Sequence, residues 1–176
     1  MALPNGVRLF AALAVDTSAE THLHERLDGL QTAHPELRWV PPARWHVTLQ
    51  FLGSCGPPEV ARQAARWQRR AARSHPLALR LHGSGAFPRI HQARVLWTGL
   101  VGDVDGLARL AAFDQHAHLT LARTRASSDL TGICDELSAY DGPEWTATEL
   151  LLVESRLGAA RDGGPRYVPM EHIPLG

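Results

Sequence analysis

A four-residue pattern that occurs twice constrains the fold of this chain more than any other feature. His46-Val47-Thr48-Leu49 recurs as His118-Leu119-Thr120-Leu121, and both copies lie in stretches of alternating polar and apolar residues that predict strands. Side chains two residues apart in a strand share a face, so each His points the same way as its Thr while the apolar residues point into the core. If the repeat marks two similar halves whose strands face each other across a cleft, two imidazoles and two hydroxyls converge on one pocket.

Short apolar runs predict seven strands along the chain. They are expected at Arg8 to Val15, Trp45 to Gly53, Leu77 to His82, Arg94 to Leu100, His116 to Arg123, Thr146 to Leu157 and Tyr167 to Ile173. Several connections are too short for parallel crossovers, so antiparallel pairing must dominate. We predict an α+β fold. No linker divides the chain, so residues 1–176 are expected to form one domain.

Three helices are expected between the strands. Thr17 and Glu20 have capping-box spacing, and the helix after them should bury one stripe, formed by Leu23, Leu27 and Leu30. A second helix should begin at Pro57-Pro58 and bury Val60, Ala64, Trp67 and Ala71. A third is expected at Ser128 to Tyr140, whereas Asp103-x-Asp105-Gly106 is interpreted as a turn.

The other face of the second predicted helix is strongly basic. It carries Arg62, Arg66, Arg69, Arg70 and Arg73. Such a run could line a path for RNA, but a row of charges on a helix is more often simply solvated. The sequence favours the solvated face without excluding the RNA path.

Composition excludes several kinds of chemistry. Acidic and basic residues balance at 18 each, so any anion site must be local, and every basic residue is Arg. Without Lys the chain can form no Schiff base, no lysyl-adenylate and no phosphate loop of the P-loop kind. The two cysteines, Cys55 and Cys134, lack metal or disulfide spacing and are expected to be packing residues. No apolar stretch is long enough to span a bilayer, and we expect a cytoplasmic protein.

Two histidines and two threonines converging on one cleft suit the opening of a strained cyclic phosphate. One imidazole can be neutral and the other protonated near neutral pH, so the pair can serve as base and acid. The hydroxyls can donate hydrogen bonds to phosphate oxygens, and Arg123 can offset negative charge in the transition state. Strict alternation would point Arg123 away from His118, so it reaches the phosphate only if the strand bulges or ends there.

Two other interpretations of the motifs compete with this one. A single His-x-Thr could be the polar edge of a half-buried strand, although matched neighbours around two copies argue against that. His116 and His118 could also join His46 in a three-histidine metal site, but no carboxylate cluster accompanies them. We therefore expect no metal and no cofactor.

Longer segments of the chain resemble the 2H phosphoesterases, and specifically the RNA 2′,3′-cyclic phosphodiesterase (2′-5′ RNA ligase-like) branch. The likeness extends over most of the chain in order and spacing. The matching segments are RLFAAL from Arg8, LRWVPPARWHVTLQFLG from Leu37, GSGAFP from Gly83, ARVLW from Ala93, HLTLAR from His118 and ESRL from Glu154.

The resemblance implies one bilobal domain, in which two mainly antiparallel sheets are related by a pseudo-twofold axis, with helices outside and a central cleft that holds both motifs. It also implies a role for each site residue. His46 would give a proton to the leaving oxygen, His118 would activate water, and the product would be a 2′-phosphomonoester. The phosphate would be held by Thr48, Thr120 and Arg123. Phe51 matches an aromatic position near the nucleotide base, although a core Phe on the strand is an equally good interpretation.

The chain departs from the family pattern at two places. Gln115-His116-Ala117 replaces the usual Phe-x-Pro before the second His. The stretch from Asp103 to Phe113 is short by roughly twenty residues where a helix normally crosses between strands. Either that helix is lost or a segment is missing from the sequence.

These observations together predict a hydrolase acting on 2′,3′-cyclic phosphate ends of RNA or of nucleotides. Two alternatives stay open: 2′-5′ ligation, which is the reverse reaction with a 5′-hydroxyl, and a noncatalytic module that binds RNA ends. Intact His and Thr in both motifs argue against a pure binder, which needs no proton carriers. We expect a monomer with an RNA or nucleotide substrate, no protein partner and no membrane.

Overall fold

The computed structural model describes residues 6–111 and 116–176. In these ranges the helices are α1 (Thr17–Ala33), α2 (Pro57–Ala71), α3 (Val104–Ala111) and α4 (Thr131–Leu137), with a 3₁₀ turn at Pro42–Arg44. The strands are β1 (Val7–Leu13), β2 (Arg38–Trp39), β3 (Val47–Cys55), β4 (Leu77–Arg89), β5 (Gln92–Gly102), β6 (His118–Ser128), β7 (Asp141–Ala147), β8 (Glu149–Arg156) and β9 (Arg166–Pro174). The single strand predicted from Thr146 to Leu157 is two strands in the structure, because the extended conformation is interrupted at Thr148.

The strands form one sheet whose order is symmetric about its middle. That order is β7-β4-β5-β6-β3-β1-β8-β9, and all the pairings are antiparallel. Four strands on each side make two matched arms, with the motif-bearing strands β6 and β3 at the centre. The predicted α+β fold with two antiparallel halves is confirmed, and the two halves are arms of one continuous sheet.

The two arms are joined at the repeated motif itself. Among the described residues, strands β3 and β6 pair only at Val47 and Leu119, the second residue of each copy. Beyond that point β6 pairs instead with the short strand β2, so the two arms diverge and leave a cleft. Continuing the antiparallel register by one residue each way sets the His of each copy across from the Thr of the other.

Each copy of the motif ends in a β-bulge at the same position. Against β1, Thr48 and Gln50 pair with consecutive residues, so Leu49 is the extra residue. Against β5, Thr120 and Ala122 pair with consecutive residues, so Leu121 is the extra residue. A bulge shifts the two-residue alternation by one. The residues that follow, Phe51 and Arg123, therefore return to the face that carries the motif hydroxyls.

The two faces of the sheet carry different apolar clusters. One face and the four helices enclose the main core, which includes the predicted stripe Leu23, Leu27 and Leu30 and the helix residues Ala64, Trp67 and Ala71. Cys55 and Cys134 are buried there as free thiols. The opposite face carries a smaller cluster around Phe10, Ala12 and Val153. None of the helices in the described ranges is long and apolar enough to cross a membrane.

Two predictions about helix starts are wrong. Asp16, not Thr17, caps α1: its Oδ1 accepts a hydrogen bond from the Ala19 amide at 2.8 Å. The Asp103 segment is not a free turn either, because Asp103 Oδ1 accepts from the Gly106 amide at 2.8 Å and so caps α3. A short helix, α3, is therefore present between β5 and β6, where the sequence indicated either a lost helix or a missing segment. Phe113 and Gln115 lie outside the described residues.

Candidate functional site

His46 sits directly before β3, at the end of the 3₁₀ turn. Its Nδ1 donates to the carbonyl oxygen of Arg44 at 2.8 Å, so in the neutral ring Nε2 is the acceptor, and it lies 3.0 Å from the Thr48 hydroxyl. The Arg44 side chain donates to Asp162 and to the Pro165 carbonyl, which ties the turn to the β8–β9 loop. The ring is thus held with Nε2 on the side of the motif hydroxyl.

His118 is oriented by the same kind of contact. Its Nδ1 donates to the carbonyl oxygen of His116, two residues earlier, at 2.7 Å. The His46 ring uses the carbonyl two residues before it in the same way. A bond from Nδ1 to a carbonyl fixes the tautomer and leaves Nε2 for chemistry. The two copies of the motif therefore present equivalent nitrogen atoms to the cleft.

The pKa of both imidazoles is lowered from its ordinary value. Burial is the main cause that lowers the pKa of His46, and the positive charges of His118 and Arg123 lower it further, against the Arg44 carbonyl bond, which raises it. Burial likewise lowers the pKa of His118, with His116 and Arg123 as further positive neighbours. The charge of Arg123 thus contributes to lowering the pKa of both imidazoles.

Arg123 faces the cleft because of the bulge at Leu121. It pairs with Val95, two residues along β5 from the partner of Thr120, so Arg123 and Thr120 share a face. The structure thereby meets the condition under which Arg123 could approach a phosphate. An extended, unbulged strand would have placed it on the opposite side.

A second cation that the sequence interpretation missed stands beside Arg123. Arg38 of β2 is its direct cross-strand partner, and both side chains are exposed. Like charges directly opposite each other in a sheet are destabilising unless an anion lies between them. The position is suited to a phosphate group. Its only sequence signal is the Arg in the LRWV segment before the first motif.

Phe51 is not a core residue, since 70% of its side chain is exposed. Its ring lies 5.9 Å from that of Phe10, which in turn is 4.9 Å from the His46 ring. The Tyr167 ring of β9 also packs edge-on against the His46 ring, with 5.2 Å between the ring centres. An exposed aromatic ring beside an imidazole offers a stacking surface for a base. Phe10 and Tyr167 had no sequence signal beyond ordinary strand positions.

The His118 side has its own aromatic wall. Phe87 lies edge-on to His118 at 4.9 Å, and Trp97 lies 4.6 Å from the ring of His116. Trp97 packs flat on Gly85, where an added Cβ would meet the indole at 2.2 Å. The glycine in the GSGAFP segment therefore makes room for this wall. The sequence pattern of the segment gives no sign of this use.

A cavity of about 500 Å³ opens between the two motifs and α3. Thr48 and His118 line it together with the apolar side of α3. His116 also lines it, with its ring against Trp97. Within residues 6–111 and 116–176, no three His, Cys, Asp or Glu side chains are grouped as metal ligands would be.

Comparison with known proteins identifies the family. The sequence profile of the LigT-like phosphoesterases matches residues 14–97. An RNA 2′,3′-cyclic phosphodiesterase of Aquifex aeolicus is 32% identical over 158 residues, covering 79% of this chain and 82% of its own. A solved protein of Thermus thermophilus superposes with a TM-score of 0.72 at 25% identity, covering 96% of this chain and 97% of that one. Escherichia coli LigT, solved with 3′-AMP, has a TM-score of 0.67 at 26% identity, with coverages of 97% and 99%.

The matched arms and the paired motifs between them define the 2H class of phosphoesterases. Within that class, the chain belongs to the LigT-like family. The resemblance noted in the sequence is thus confirmed.

Proposed function

We propose that this protein hydrolyses 2′,3′-cyclic phosphate ends of RNA or nucleotides to 2′-phosphomonoesters, with His46 and His118 as its acid/base pair. The observation that carries the proposal is the equivalence of the two imidazoles. Each ring is fixed through Nδ1 by a backbone carbonyl two residues earlier and lies beside the point where the sheet arms join. Two rings held in the same way across one cleft can act on opposite sides of a phosphorus atom.

The proposed reaction has a balanced path for its proton. Neutral His118 takes a proton from water as the water oxygen bonds to phosphorus, and the bond from phosphorus to the 3′-oxygen breaks. Protonated His46 gives its proton to that 3′-oxygen, so the phosphate stays on the 2′-oxygen. Thr48, Thr120 and Arg123 would contact the nonbridging oxygens, and Phe51 would stack on the base. The assignment of acid and base follows the family resemblance.

The same residues could run the reaction in reverse and form a 2′-5′ bond. Hydrolysis is favoured in this proposal because water is the solvent, whereas a 5′-hydroxyl must be held in place to compete. A module that only binds RNA ends has no use for two fixed and partly buried imidazoles. Relatives named RNA 2′,3′-cyclic phosphodiesterase support hydrolysis as the main reaction.

Incubation with each nucleoside 2′,3′-cyclic phosphate in the presence of EDTA tests the proposal. We expect conversion to the nucleoside 2′-phosphate, with the isomer identified by chromatography or phosphorus NMR. The site needs no Lewis acid, since the five-membered cyclic ester is strained and its leaving oxygen receives a proton. Activity lost only on chelation would indicate a metal enzyme. No turnover of cyclic nucleotides or of cyclic RNA ends would indicate a binding module.

The pH profile of kcat/KM should be bell-shaped and displaced to low pH. Protonation of the base stops the reaction at low pH, and deprotonation of the acid stops it at high pH. Burial and neighbouring cations lower the pKa of both imidazoles, so the centre of the bell should lie below about 6.5 in the free enzyme. The two apparent values belong to the coupled pair.

Arg123→Gln provides the matched control for the sign of that displacement. Removing a positive neighbour stabilises the protonated imidazoles and raises their pKa. Both limbs of the pH profile should therefore move to higher pH in the residual activity. His46→Gln should erase the alkaline fall, and His118→Gln the acidic fall. Limbs erased the other way round would exchange the two roles. A flat wild-type profile from about pH 5 to 9 would rule out histidine acid/base catalysis.

We also infer that the protein acts as a monomer in the cytoplasm, with RNA or nucleotide as its only partner. Both cysteines are free and buried, which suits a reducing compartment. The proposed site is built entirely from residues of this one chain. Size-exclusion chromatography with light scattering measures the oligomeric state directly.

A further inference from the structure

A second cavity lies on the outer side of α3, away from the two motifs. It holds about 290 Å³ and is formed by the C-terminal half of α2, the turn after it and α3. Five guanidinium groups line it: Arg66, Arg69, Arg70, Arg73 and Arg109. The other described residues that line it are Ser74, His75, Gly106 and Leu110, so none of the described lining residues is a carboxylate.

The positive charge of this cavity exceeds the negative charge beside it in the described residues. Within the described ranges, none of the five arginines lies at ion-pair distance from a carboxylate. The nearby acid at the start of α3, Asp103, bonds to His75 at 2.6 Å and to the Gly106 amide, and the charge of Arg109 is one cause that lowers the pKa of Asp103. Burial and the charge of Arg66 both lower the pKa of Arg70. An anion in the cavity would relieve this crowding.

These arginines differ from those of a solvated helix face because they line a cavity. Arg62 belongs to the same basic run, but it bonds to Glu59 and lies outside the cavity. Arg70 is held in place by donating to the carbonyl oxygens of Leu110 and Arg109, each at 2.9 Å. Arg66 and Arg70 also lie over the buried Trp67 ring at 5.7 and 5.4 Å. Arg66 and Arg70 are thus held by specific contacts, and a concave set of guanidinium groups suits phosphate binding.

Helix α3 separates this cavity from the one beside Thr48 and His118. Leu107, Ala108 and Ala111 of α3 line the cavity beside these two motif residues, whereas Gly106, Arg109 and Leu110 line the basic cavity. A helix with its side chains is about 10–12 Å across, so the two sites are separated by roughly that distance. A polynucleotide with its 3′ end in the cleft could reach the cavity with a backbone phosphate a few nucleotides upstream.

We propose that the arginine cavity between α2 and α3 binds the backbone of an RNA whose cyclic end occupies the cleft, which makes an RNA chain, rather than a mononucleotide, the preferred substrate. The inference rests on the proposed function. In this arrangement the RNA backbone upstream of the cyclic end lies outside the catalytic cleft. Since guanidinium contacts to backbone phosphates carry no base information, this site should add affinity without sequence preference.

The test compares substrates of increasing length. Wild-type kcat/KM should rise from a nucleoside 2′,3′-cyclic phosphate to an RNA oligonucleotide with the same end, at the length that reaches the cavity. The double variant Arg69→Gln with Arg73→Gln should lower kcat/KM on the long substrate by about five- to tenfold and leave the mononucleotide unchanged. The slope of log kcat/KM against log salt should flatten by about 0.7 for each backbone phosphate that the variant no longer neutralises. Arg62→Gln, on the same helix but outside the cavity, is the matched control and should leave kcat/KM unchanged on both substrates.

A binding measurement separates this inference from the proposed function. RNA ending in a 3′-phosphate is not turned over, and its affinity can be measured by fluorescence anisotropy whether or not the enzyme hydrolyses anything. The double variant should weaken that binding and Arg62→Gln should not. The inference is overturned if length brings no gain in wild type, if the variant binds the RNA normally, or if mononucleotide and RNA activity fall equally. Failure of wild type to hydrolyse any cyclic end, with RNA binding still weakened in the variant, would overturn only the hydrolase proposal.

Discussion

His46→Ala and His118→Ala should each lower kcat on a nucleoside 2′,3′-cyclic phosphate by roughly 10²- to 10⁴-fold, the usual contribution of one positioned acid or base. Each ring is fixed through Nδ1, so its Nε2 is available for one proton transfer. Loss of either ring leaves half of the acid/base cycle to water. Steady-state kinetics at the pH optimum give the result, with thermal unfolding to confirm that the variants fold.

The double variant decides whether the two rings act as a unit. It should be little worse than the worse single variant, because one missing proton transfer already stops the concerted path. His24→Ala is a matched control, since His24 is an exposed residue of α1 outside both motifs. Fully additive losses, or near-normal activity in either single variant, would contradict the proposed pair.

The fold could be predicted well because its strongest signals are local and repeated. Two copies of one strand pattern indicated two matched halves, and the apolar stripe of α1 is buried as expected. Helix caps and strand ends were less certain. Asp16 and Thr17 are both good capping residues, and only the backbone geometry shows that Asp16 accepts the bond. The short α3 has too few turns to give a clear periodic signal, and Asp103 suits a turn as well as a cap.

The candidate site could be predicted only where it lies within the motifs. Alternation placed each His with its Thr, but it could not place Arg123, whose direction depends on the extra residue at Leu121. A bulge depends on the neighbouring strand, so no pattern within the strand reveals it. Arg38 and Tyr167 reach the site from distant parts of the chain through strand pairing alone. Residues that strand pairing brings together from distant parts of the chain give no signal in the local sequence.

Arg123→Gln should lower kcat by about 10²- to 10³-fold, the range found when one preorganised donor to a developing anion is removed. Arg123 shares a face with Thr120, and its charge acts on both imidazoles. Arg123→Lys should recover only part of the loss, because an ammonium group keeps the charge but cannot make the two parallel bonds of a guanidinium group. A nucleoside 2′,3′-cyclic phosphate is the appropriate substrate, since it excludes any contribution from contacts to an RNA backbone.

Arg38→Gln is the control that shows whether the position of Arg123 matters or only the total positive charge at the site. It removes an identical cation from the cross-strand position on the same face, one strand away. Arg38 should help to hold the phosphate in the ground state as much as in the transition state, so its loss should raise KM and change kcat by less than about tenfold. Equal kcat losses in the two variants would mean that only total positive charge matters. A normal kcat in Arg123→Gln would mean that the bulge at Leu121 aims this side chain at the cleft without a catalytic purpose.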